Sequence, residues 1–360
     1  MSISIKSERE IALMRESNRL LAIMHLELEK MVKPGVSTWD IDMEARRYAK
    51  DCGCGLSFLN YEGYPAALCI SVNEEVVHGI PRKDKILQEG DIVSIDAGLI
   101  YKGYHSDAAR TYGVGTITPE KQKLIDETRN SFFEGIKMAK AGNHLFDISN
   151  AIDDYISQFG YGIVRELVGH GVGSSLHEEP QIPNFRQNKR GPVLRPGMTL
   201  AIEPMINMGR GDVEWLDDDW TVVACDGSPS AHYENSILIT DGEPEILSLI
   251  RRNRIMTEKN IVGVLGCSVA GHDKGEYYIV VGSAERELYV ANGKERTCAS
   301  PKKKNKKHLQ PAEGDYDPAI GERLRAGESV REEEIRKLIG NYKRENITCQ
   351  KRMSSKSKAQ

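Results

Sequence analysis

Apolar residues at Ile11, Met14, Leu21, Met24 and Leu28 fall on one side of a helical period. The preceding Ser7-Glu8-Arg9-Glu10 has the Ser-x-x-Glu form of a capping box, so a helix is predicted to start there and stop at Lys33-Pro34-Gly35. A second helix, WDIDMEARRYAKDCG, follows a Ser37-Thr38 cap and ends at Gly53. The pattern then shifts to short runs rich in Val and Ile, bounded by Gly, Pro, Asn and Asp: IVSIDAGLI, TLAIEPMI, WTVVAC and SILIT. Helices and strands that segregate with hairpin-like connections predict an α+β fold with antiparallel sheet, ending near Leu247.

Residues 31–53 recur as residues 138–160. Met31, Lys33, Gly35, Asp40, Ile41, Tyr48 and Gly53 return as Met138, Lys140, Gly142, Asp147, Ile148, Tyr155 and Gly160, at a constant offset and without a gap. Matches in register predict an internal duplication. Two acids break the apolar pattern inside SIDAGLIYKGYHSDAARTY. With strands at 92–100 and 103–112 and a turn at Tyr101-Lys102, Asp96 stands directly opposite Asp107. Facing carboxylates roughly 5 Å apart at Cβ repel by roughly 3 kcal/mol at an effective dielectric of 20. Taken alone, the stretch reads equally as an exposed hairpin with two solvated acids or as a metal site. The duplication favours the metal site, because Asp96 maps onto Glu203, again a lone acid in an apolar strand, followed by the non-donor Pro204. Glu234, opening the next strand, is its predicted hairpin partner, and His170 in GHGVG offers a nitrogen. Four carboxylates and one imidazole suit Mn, Co, Fe or Zn.

The chain has 360 residues, so two domains are the default expectation. Its apolar fraction of 39% allows a sizeable core, and a net charge of −4 calls for no polyanion partner by itself. Seven cysteines without framework spacing predict free thiols in a reducing compartment. No apolar run is long enough to span a bilayer, and the charged N-terminus lacks an apolar signal core. A cytoplasmic monomer without a membrane partner is the expectation.

GHGVG, HEEP (177–180), IEP (202–204), SVNEEVVHGIP (71–81) and the Asp96/Asp107 pair together resemble methionine aminopeptidase of the bacterial type I form, over residues 1–249. The resemblance implies a pita-bread fold with pseudo-twofold symmetry and two divalent metal ions held by Asp96, Asp107, His170, Glu203 and Glu234. It implies Glu203 as proton shuttle, His177 as the group that stabilises the oxyanion or orients the scissile amide, and His78 as a contact to the backbone beyond that bond. The substrate would be the N-terminus of a nascent polypeptide, with a small second residue favoured. The methionine pocket falls to Phe58, Tyr61, Tyr64, Cys69, Leu176 and Trp220. The family often carries Cys where Phe58 stands, Phe at Leu176 and Gln at His232, and the last departure bears on the metals.

From about 250 the character changes. RRNR is followed by IVGVLGCSV, EYYIVVG and LYVAN, short strands with an Asn292-Gly293 turn, then by the basic SPKKKNKKHLQP. Residues 259–310 resemble KOW-type, SH3-like β-barrel RNA-binding proteins related to ribosomal protein L14e. The expected units are 1–249, a barrel at 256–312 and a charged helical or disordered tail at 313–360. RNA, ribosomal RNA in particular, is the expected partner through Lys274, Lys302, Lys303, Lys304, Lys306 and Lys307. A tether to the ribosome would raise enzyme concentration near its substrate. Two rivals stay open: a proline-specific peptidase of the same fold, and a catalytically dead scaffold linked to RNA.

Overall fold

The computed structural model describes residues 3–249, 261–284, 287–312, 319–325 and 327–343, in two compact units, Met1–Leu249 and Ile250–Gln360. The RRNR run, the barrel's expected start at 256–260 and the last residues of the tail lie outside the described residues. Among those described, no helix is long and apolar enough to cross a membrane.

The first unit is built twice. Helix α1 (Glu8–Glu29) starts at the Ser7 capping box, and α2 (Thr38–Asp51) at Ser37. Helix α3 (Pro119–Ile136) ends, and α4 (Leu145–Ile156) begins, 107 positions after their counterparts. The spacing extends to single hydrogen bonds. Gly35 N–H donates to Leu87 O and Gly142 N–H to Leu194 O, and the bridge Ser37–Ile86 returns as His144–Val193. Core positions follow it too. Ile41 and Ala45 of α2 share a core with Val93 and Ile95; Ile148 and Ile152 of α4 share one with Leu200 and Ile202, all fully buried. Equivalent apolar positions thus bury equivalent helix faces, which sequence matching alone suggested only for residues 31–53.

In the first half, Ile92–Tyr101 pairs with Leu68–Val72, Gly55–Leu56 and Tyr104–Gly113, all antiparallel. The register here corrects the expectation. Tyr101 pairs with Tyr104 and the turn is Lys102-Gly103, both with positive φ (48° and 86°). A tight hairpin turn of this kind needs two left-handed residues, and Gly103 supplies the second at no cost while Lys102 accepts the first. Asp96 therefore faces Ala109, and Asp107 faces Gly98. The slip is two residues, so both acids remain on one face as diagonal neighbours.

In the second half, Thr199–Ile202 pairs with Asn235–Leu238, and Met205–Asn207 with Ser230–His232, in one continuous register. Pro204 interrupts the first strand. The interruption leaves Glu203 and Glu234 opposite each other at the gap, since Ile202 pairs with Asn235 and Met205 with His232.

The second unit has a five-stranded antiparallel sheet. Leu265–Ser268 lies between Tyr277–Ser283 and Leu309–Pro311, and the far side continues through Glu287–Ala291 to Lys302–Asn305. A 3-10 turn at Lys306–His308 precedes the last strand. Of the two readings left open for the tail, helix holds at its described residues. Helices at Ala319–Arg325 and 332–343 are present, and Ile335, Leu338, Ile339 and Tyr342 form an apolar stripe packed on Leu265, Ile279 and Ala291. That stripe has helical spacing, masked in sequence by the surrounding charges.

Candidate active site and metal centre

The two ribbons meet at their acids. Glu234 N–H donates to Ala109 O (3.0 Å), and Asp107 N–H to Ser236 Oγ (3.1 Å). Donor atoms of Asp107, His170 and Glu234 lie within 4.8 Å of one another. His170 Nε2 is 3.6 Å from Asp107 Oδ2 and 3.5 Å from Glu203 Oε1. His170 reaches this point because its strand, Gly169–Gly171, squeezes between two others. A Cβ at Gly169 would meet Ala201 O at 2.4 Å, and one at Gly171 would meet Glu179 O at 2.3 Å. The imidazole's Nδ1 donates to Gly171 O (2.8 Å), which leaves Nε2 as a lone-pair donor aimed at the acids.

Among the described residues no Lys or Arg pairs with these carboxylates, although the Arg110 charge acts on Glu234 from its main-chain side. Asp96 Oδ1, Asp107 Oδ1 and Glu234 Oε1 are buried without a hydrogen-bond partner among the described residues. Burial pushes Asp96 up to about 7. Burial and neighbouring acids push Asp107 and Glu234 well above the usual carboxylate range, and burial followed by the Asp96 charge does the same to Glu203. Burial lowers His170 to about 3, so it is neutral and free to ligate. Buried oxygens without donors beside a neutral imidazole fit divalent cations, with Asp96, Asp107, His170, Glu203 and Glu234 as the residues that would hold them.

Around the acids runs a cleft of about 490 Å³. Phe58, Tyr64, Cys69 and Leu176 are buried together, with Tyr61 and Trp220 packed against them. Cys69 pairs with Asp96 on adjacent strands, so the apolar pocket and the acid cluster share a wall. Trp220 is set by a turn in which Asp218 accepts from Trp220 N–H (3.0 Å), Thr221 N–H (2.7 Å) and Thr221 Oγ1 (2.6 Å). His177 and His78 both line the cleft. Burial lowers His177, and lowers His78 to about 4, so both are neutral near pH 7. His78 has a left-handed backbone (φ 59°), a conformation uncommon outside glycine that is often found at functional sites.

Sequence reasoning missed several groups here. Tyr61 hydroxyl lies 2.9 Å from His177 Nδ1, a contact across 116 residues with no local signal. Glu62, Glu166 and Gln181 also line the cleft. Lys6, almost fully buried, bonds Glu178 Oε2 at 2.5 Å and braces the loop behind His177. His25, His105 and His144 bond Ala108 O, Ser57 Oγ and Gly191 O respectively, away from the acids.

The lysines expected to meet RNA are differently placed. Lys302 and Lys304 both hold Asp273 (2.8 Å each), and Lys303 bonds Glu287 (3.1 Å). Lys304 is buried, which corrects its reading as a free phosphate contact. Lys274 is exposed and Lys306 half-exposed; the side chain of Lys307 lies outside the described residues.

A buried acid-and-imidazole centre on a duplicated α+β frame defines a metal-dependent hydrolase. Residues 12–241 match metallopeptidase family M24, and the chain belongs to that family. Its relatives include a methionine aminopeptidase from Clostridium acetobutylicum, 49% identical over 247 residues that make up 69% of this chain and 99% of the relative. The crystal structure of a methionine aminopeptidase from Thermotoga maritima is 44% identical, with a TM-score of 0.68, covering 69% of this chain and 99% of that one. A prolidase from Pyrococcus furiosus, at 22% identity and TM-score 0.57 over 68% of this chain and 65% of its own, shares the fold alone. The first unit accordingly has the pita-bread architecture of M24 aminopeptidases.

Proposed function

We propose that the first unit removes the initiator methionine from nascent polypeptides in the cytoplasm, by hydrolysis of the first peptide bond. The observation that carries this reading is the wall shared by the Phe58–Tyr64–Cys69–Leu176 pocket and the acid cluster, joined where Cys69 pairs with Asp96. An unbranched apolar side chain in that pocket brings its own carbonyl to the acids. Two bound divalent ions, drawn from Mn, Co, Fe or Zn, would supply acidified water and polarisation of the carbonyl. Glu203 takes a proton from the attacking water and returns it to the leaving amine. With the Tyr61 hydroxyl, 2.9 Å away, as donor to His177 Nδ1, His177 would present Nε2–H to the scissile carbonyl oxygen. His78 holds the backbone beyond that bond. The test is methionine release from Met-Gly-Met by purified, metal-reconstituted chain, against a proline-containing peptide. Preference for the proline peptide would move the chain to the prolidase branch, and absence of turnover with metal bound would make it a scaffold.

We also infer that the second unit is an SH3-like barrel that meets ribosomal RNA. The closing of the last strand onto the first, with a 3-10 turn before it, supports the barrel, and the exposed Lys274 beside Gly275 supports the contact. Sedimentation with ribosomes at low salt tests it. If the chain lacking residues 250–360 co-sediments as well as the full chain, the tether fails.

A further inference from the structure

His232 is the last residue of the strand Ser230–His232, two positions before Glu234. Its main chain is pinned to the first ribbon, where its N–H donates to Thr111 Oγ1 and its carbonyl accepts from that hydroxyl, both at 2.9 Å. Its side chain is 2% exposed and lines the cleft, and neither ring nitrogen has a hydrogen-bond partner among the described residues. A buried imidazole with both nitrogens unpaired is costly, and native structures rarely leave one so without a ligand.

Nε2 of His232 lies 3.7 Å from Glu203 Oε2, and Nε2 of His170 lies 3.5 Å from Glu203 Oε1. Each oxygen of Glu203 therefore has an imidazole nitrogen beside it. Both separations are too long for a hydrogen bond. They are close to the edge of a tetrahedron of donors bound to one ion at about 2.1 Å, which is about 3.4 Å. Building on the metal centre described above, we propose that His232 Nε2 is a sixth protein donor, supplying an imidazole to the ion on the Oε2 side of Glu203.

Two consequences follow from the chemistry. A second imidazole favours Zn, Fe and Co over the more oxygen-seeking Mn. The His232 bond is the weaker of the two imidazole bonds, because no acceptor among the described residues fixes its tautomer in the way that Gly171 O fixes that of His170.

X-ray absorption of the full chain loaded with two equivalents of Zn(II) counts imidazoles directly. Two per protein are expected in the wild type and one in His232→Gln, with the apparent Zn(II) affinity of the second equivalent falling about tenfold. His170→Ala should retain one imidazole, which tests the proposal without altering His232. A wild-type count of one, an unchanged count in a folded His232→Gln, or a count of zero in His170→Ala with metal bound would each overturn it. None of these readouts depends on methionine release, so a wrong substrate leaves the test intact.

Discussion

Asp273, in the turn between two strands, and the acids of the cleft are carboxylates that the chain treats in opposite ways. Asp273 receives Lys302, Lys304, the Tyr278 hydroxyl (2.9 Å) and Ser268 Oγ (3.2 Å). Burial alone would raise its pKa, but these donors hold it far below the usual carboxylate range. Asp96, Asp107, Glu203 and Glu234 have no such cation, and all are pushed upward. An acid supplied with its own cations is part of the scaffold. A group of acids without them is a receptor for ions.

Substitutions should separate the two most sharply. Asp107→Asn is expected to lower methionine release by about 10³-fold or more and to reduce bound metal, with the circular dichroism spectrum retained. Unchanged turnover would remove Asp107 from the centre. Asp273→Asn should leave release within about twofold. Metal is the next lever. Addition of Mn(II) at about 100 times its dissociation constant should stabilise the chelated first unit by about 2.7 kcal/mol, read as a rise in melting temperature. Asp273→Asn should keep that gain, while Asp107→Asn should lose most of it. The same Asp273→Asn change should cost the second unit about 2 kcal/mol, from lost bonds to charged donors, measurable by urea denaturation.

The smallest effects are those of pH, and they fall in different windows. The cleft acids bind protons that an ion must displace, whereas the histidines are already neutral. Metal affinity should therefore climb as pH rises from 5 through about 7, where Asp96 releases its proton. Calorimetry in buffers of different ionisation enthalpy would detect the released protons. Asp273 has a folded pKa below its unfolded value of 3.8, so its contribution is present above that pH and is lost as pH falls below it. Acid titration of the isolated thermal transition of the second unit would show it.

Much of the catalytic half was legible because its signals are local or repeat without a gap. The constant offset from Ile41 to Ile148 and from Asp96 to Glu203 carried both the duplication and the acids. The hairpin register was misjudged by two residues because Lys102, with no turn signature of its own, takes the left-handed position. That error spared the site, since side chains alternate with a period of two. Lys302 and Lys304 read as free because their partner Asp273 lies far upstream and only folding brings it near. The Tyr61–His177 contact was invisible for the same reason. The stripe of Ile335, Leu338, Ile339 and Tyr342 was readable by period but lay hidden under a charge-rich composition.

The gap at Glu203 and Glu234 has a further consequence. Asp96 and Asp107 belong to one half of the first unit, and His170, Glu203 and Glu234 to the other. Any ion bound by both sets acts as a rivet across the seam between halves. Chelation then does more than silence chemistry: it removes a crosslink and leaves the seam to the hydrogen bonds between the two ribbons.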